Sequence, residues 1–102
     1  MSAARFTVPA SHPSLPGHFP GRPVVPGVLL LAQVQAAIEA VHGPLPALRL
    51  PQVKFMRPLL PGEPASIELE DVGAATGARR WRFRVLREAD GVVLASGEFA
   101  GA

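Results

Sequence analysis

The chain is 102 residues long, room for a single domain over residues 1–102 built on one hydrophobic core, and no linker or repeat divides it. Hydrophobic residues make up 48% of it, which argues for a folded chain despite 10 glycines and 12 prolines, while the lack of cysteine excludes a disulfide framework and a thiolate metal site. A net charge of +2 is too small to argue for a nucleic-acid binder, and three histidines without clustered spacing predict no metal site.

The first residues, Met1 to Arg5, lack the apolar core of a signal peptide, and the longest apolar run, Val24 to Ala32, contains Pro26 and is too short to span a membrane. A cytoplasmic, soluble protein without membrane association is therefore expected. A short strand is predicted near Arg5 to Val8. It leads into Gly17-His18-Phe19-Pro20-Gly21-Arg22-Pro23-Val24-Val25-Pro26-Gly27, where prolines at 20, 23 and 26 fix φ and lower the entropy of ordering the loop. An imidazole held in such a frame suits a general base, because it titrates near neutral pH. His12 and His42 have no such frame and read as ordinary histidines.

A helix is predicted from Gly27 to His42, stopped by Gly43-Pro44. Its first N–H groups have no intrahelical partner and carry the positive end of the dipole, so the Gly27 amide can polarise a carbonyl oxygen as in an oxyanion hole. Leu29, Leu30, Leu31, Val34, Ile38 and Val41 leave only Gln33, Gln35, Glu39 and His42 polar, which predicts a helix buried by its surroundings.

Strands follow. Leu48 to Met56 reads as one, with Pro51 tolerated at an edge or a bulge. Ala65 to Val72 alternates with the period of a half-buried strand, and Arg80 to Val85 alternates more clearly still. Ala89-Asp90-Gly91 is a turn signal from which Val92 to Phe99 pairs back as a hairpin. One long helix with an antiparallel meander is an α+β layout. Arg80, Arg82 and Arg84 fall on one face of their strand, opposite Trp81, Phe83 and Val85, and read either as a solvated outer face or as a dock for an acidic partner.

The run from His18 to Leu31 resembles the active-site loop and central helix of hotdog-fold 3-hydroxyacyl-acyl-carrier-protein dehydratases, whose motif is approximately His-Phe-Pro-Gly-x-Pro-x-x-Pro-Gly-Val-Leu. Val53-Lys54-Phe55-Met56-Arg57-Pro58-Leu59-Leu60-Pro61-Gly62-Glu63 resembles a second strand signature of that family, and Trp81-Arg82-Phe83-Arg84 with Asp90-Gly91 resembles its last hairpin. The likeness covers nearly the whole chain. Two departures stand out. The family partners its histidine with a Glu or Asp fourteen positions later, and that position here is Ala32. Housekeeping members also carry a strand and helix before the loop, so this chain looks like a shortened form, similar to the small dehydratase-like proteins of aryl-polyene and pigment clusters.

The resemblance implies a sheet wrapped around one central helix, and a homodimer or higher assembly in which two sheets join and each site draws on both subunits. It implies an acyl chain carried on the phosphopantetheine of an acyl carrier protein, with no other cofactor, for fatty-acid or polyene-type biosynthesis. His18 is then the base and the Gly27 amide the carbonyl polariser. Phe19, Pro26, Val28, Leu31 and Phe55 line the acyl slot, and Arg22, Lys54 and Arg57 contact the carrier. Ala32 cannot supply the hydroxyl's proton. Gln35 could orient a water, and Glu39 shares the Ala32 face but lies about 10 Å further along the axis at ~1.5 Å per residue. Two other readings stay open: a non-catalytic acyl or acyl-carrier binding partner of a second hotdog dehydratase, and a thioesterase.

Overall fold

The alternation in Arg80-Trp81-Arg82-Phe83-Arg84-Val85 becomes the middle of the sheet: Trp81, Phe83 and Val85 are fully buried while the three arginines face solvent. The computed structural model describes residues 2–9, 24–43, 48–72 and 79–101. In chain order these form β1 (Ser2–Phe6), α1 (Gly27–His42), β2 (Leu48–Phe55), β3 (Ala65–Asp71), β4 (Arg80–Arg87) and β5 (Val93–Gly101). The five strands make one sheet in the order β1-β3-β4-β5-β2, with every neighbouring pair antiparallel.

Only β3-β4-β5 is a meander. The strand before the helix and the strand after it lie on opposite edges, so the sheet differs from the simple meander that the linear order of elements predicts. β2 does not pair with the next strand in sequence but crosses to the far side of β5. Edge placement is what Pro51 requires, since it has no N–H for a ladder. The register between β2 and β5 also shifts between Arg49 and Gln52, a bulge around the proline. Gly97 makes that approach possible, because a Cβ there would fall 2.2 Å from the Gln52 carbonyl.

The helix lies over β3 and β4. Leu30, Val34 and Ile38, spaced by four, form its buried row against Ile67, Leu69, Trp81, Phe83 and Val85 in one core. Burying each such side chain contributes roughly 1.5–3 kcal/mol. The helix is not covered on every side as its composition predicts. Val28 is 69% and Val41 56% exposed, because the sheet of one chain wraps only one flank of the helix.

The far end of the helix is fastened to the sheet. Gly43, at φ 82°, donates its N–H to the Glu39 carbonyl at 2.7 Å and ends the helix. The buried Trp81 indole N–H donates to His42 Nε2 at 3.0 Å. A buried indole needs an acceptor, so His42 has a structural role.

Candidate active site

The start of α1 is built around a proline and a glycine. Pro26 stands at the N-cap with φ −59°, its carbonyl accepts the Leu29 N–H at 3.0 Å, and among the described residues no side chain caps the first turn. The first turn also holds no acidic residue that would offset the positive end of the dipole. One step earlier, the buried Val25 donates its N–H to the Leu59 carbonyl at 2.8 Å, which ties the entry to the helix to the loop between β2 and β3.

Phe55, the last residue of β2, lays its ring against this start. A Cβ on Gly27 would sit 2.8 Å from Phe55 Cζ and 2.9 Å from Cε1, so a larger residue there would push the tip of the ring aside. Gly27 thus serves a close side-chain approach, a need the sequence reading did not include beside its amide role. Pro26 and Leu31 are half-buried, Leu31 packing on the core, whereas Val28 and Phe55 stay 69% and 51% exposed. Together with Met56 and Leu60 they leave apolar surface around the helix start. His18, Phe19 and Arg22 lie outside the described residues.

Ala32 is exposed on the helix. The nearby polar side chains are engaged with each other, Gln35 Nε2 donating to Glu39 Oε1 at 3.0 Å. That pair is an ordinary four-residue helix contact.

Charge divides the surface sharply. All eight acidic side chains of the sequence are among the described residues. Arg80 pairs with Glu98 at 3.4 Å, Arg82 with Glu70 at 3.1 Å, and Arg84 with Glu68. Arg5, Arg79 and Arg87 have carboxylate partners as well. Among the described residues the cations without an ion pair are Arg49, Lys54 and Arg57, all on β2 or just after it. Lys54 stands opposite Ser96 and alternates with Phe55, so it projects from the sheet face away from the helix. Arg49 drew no attention in the sequence. Its isolation comes from register, since its neighbour on β5 is Ala100.

The ApeI-like family, described as ApeI dehydratase, matches residues 2–98 of the chain. The chain belongs to the ApeI-like dehydratase family. Among its relatives is the 3-hydroxyacyl-[acyl-carrier-protein] dehydratase FabZ of Gluconacetobacter diazotrophicus, 36% identical over 91% of this chain and 63% of that protein. The chain spans less than two thirds of the length of the curated relatives it matches first. Among solved structures, the dehydratase heterocomplex ApeI:P from Xenorhabdus doucetiae aligns with a TM-score of 0.72 at 18% identity, covering 98% of this chain and 86% of that one. The 1,4-dihydroxy-2-naphthoyl-CoA thioesterase Slr0204 from Synechocystis aligns with a TM-score of 0.72 at 16% identity, over 96% and 77%. These structural likenesses establish the hotdog fold for this ApeI-like chain.

Proposed function

We propose that this chain is a 3-hydroxyacyl-acyl-carrier-protein dehydratase that works in the cytoplasm without the usual helix acid. The observation that carries the reading is the start of α1: a first turn free of acids and, among the described residues, without a side-chain cap, at the glycine that follows the His18 loop. In the reaction, neutral His18 removes a proton from the carbon α to the thioester carbonyl. Charge gathers on the thioester oxygen and is met by the Gly27 N–H and the dipole behind it. The enolate then expels the 3-hydroxyl, the α,β double bond forms, and the imidazolium returns its proton to the departing hydroxide, which leaves as water. One residue serves as base and then acid, and the two events occur on one face of the substrate.

Phe19, Pro26, Val28, Leu31 and Phe55 form the acyl slot in this reading, and Arg22, Lys54 and Arg57 meet the phosphopantetheine phosphate or the acidic carrier. The carrier supplies the only prosthetic group. The exposed Val28, Phe55, Met56 and Leu60 support association with a second copy, since clustered exposed apolar residues mark interaction surfaces. A second reading is favoured by Ala32: an accessory subunit that binds the acyl carrier and leaves chemistry to another hotdog chain.

Water loss from a panel of 3-hydroxyacyl carrier thioesters, followed by mass spectrometry, separates them. Turnover that falls by about 10²–10⁴-fold in His18→Ala is the expected result. No turnover by a folded protein that still binds the acylated carrier would overturn the enzyme in favour of the accessory subunit. Release of the free acid instead would indicate a thioesterase.

A further inference from the structure

Arg87 is the most enclosed of the ion-paired arginines, its side chain 19% exposed where the others are 47% or more. Enclosing a cation in so small a domain carries a desolvation cost, and the contacts show where that cost is offset. Its Nη2 donates to the Pro58 carbonyl at 2.8 Å and its Nη1 to Asp90 Oδ2 at 2.9 Å. Buried Nε has no hydrogen-bond partner and lies 3.5 Å from Glu63 Oε1. The Glu63 carboxylate in turn accepts the Leu60 N–H at 2.8 Å.

The loop between β2 and β3 is therefore gripped from the β4 side at residues 58 and 63, and Glu63 holds residue 60 within the loop. On its other side the next carbonyl, Leu59, accepts the Val25 N–H at 2.8 Å, and both side chains are buried, Leu59 at 1% and Val25 at 6% exposure. Two consecutive carbonyls are thus pinned in turn, one by Arg87 and one by the segment that feeds Gly27. The planar guanidinium can bond Pro58 and Asp90 at once with fixed directions, which a lysine ammonium on a flexible stem reproduces only in part.

We propose that Arg87 is a positioning residue for the helix start: through Pro58 and Leu59 it fixes Val25, and through Val25 the Gly27 amide. The consequence for catalysis rests on the reading of Gly27 as carbonyl polariser. The clamp itself does not.

The test uses Arg87→Met and Arg87→Lys in the full chain, with amide hydrogen exchange and steady-state dehydration measured together. Arg87→Met is expected to speed exchange at Val25 about tenfold while the Phe83 and Val85 amides keep their wild-type protection. It is expected to lower kcat about tenfold with KM within about twofold, because a displacement near 1 Å in a catalytic group is worth up to ~10²-fold. Arg87→Lys should recover part of both. Val25 exchange unchanged in Arg87→Met would overturn the proposal, as would equal acceleration at Phe83 and Val85, which is general destabilisation. A wild type inactive toward every 3-hydroxyacyl carrier thioester sinks the dehydratase reading alone, and Val25 exchange still decides the clamp.

Discussion

The outer face of β4 and the edge strand β2 carry the same kind of charge in opposite circumstances. Along β4, Arg82 and Arg84 sit across from glutamates of β3 and Arg80 reaches diagonally to Glu98 of β5, so each is paired. Along β2 and the turn after it, Arg49, Lys54 and Arg57 have no ion pair among the described residues, and Lys54 and Arg57 flank the exposed Phe55 and Met56 in the chain. A ladder that neutralises itself keeps a sheet face in water. Unmatched cations beside apolar surface leave both a field and a contact for something outside the chain. Of the two readings open for the arginine stripe, the solvated face is the one its glutamates support.

The contrast breaks most visibly under charge reversal. Lys54→Glu with Arg57→Glu should weaken binding of an acylated acyl carrier protein at least tenfold at low salt, measured by titration calorimetry, and the loss should shrink as salt rises. Arg82→Ala, by comparison, should leave carrier affinity within about twofold and cost only ~0–1 kcal/mol by urea unfolding, the usual worth of an exposed pair. Carrier affinity lost in Arg82→Ala and kept in the double reversal would invert the assignment.

The smallest effect concerns a third kind of arginine, the enclosed Arg87. The Val92 N–H, then Arg87, hold its partner Asp90 below its ordinary carboxylate value. A lowered folded value means that the bonds stabilise the hairpin above the ordinary carboxylate range and are lost as pH falls through the folded value. Asp90→Asn should therefore narrow the difference from wild type on acidification below about pH 4, a range set by the ordinary Asp pKa, in thermal unfolding scans. A gap that stays constant across that range would dissociate Asp90 from the clamp.

Much of this was legible in the chain. The helix ends at His42 because Gly43-Pro44 follows, and the strand at Arg80 is visible because apolar residues recur every second position. The turn at Asp90 carries its own chemistry, the side chain accepting the Val92 N–H at 3.1 Å. Less visible was the double duty of Gly27, since nothing near it in sequence announces that Phe55 will rest against it. His42 likewise read as unremarkable. Its bond to Trp81 joins positions 39 residues apart, beyond any local pattern.

The sequence by itself determined the elements, their order and the family to which the chain belongs, because capping, turn chemistry and hydrophobic period act over a few residues. Only the tertiary structure decided that β1 and β2 take opposite edges, that one flank of the helix stays bare, and which cations find carboxylates. Those outcomes depend on how distant segments share one apolar row of the helix. Register across the sheet then places each charge beside its partner or, as on β2, beside none.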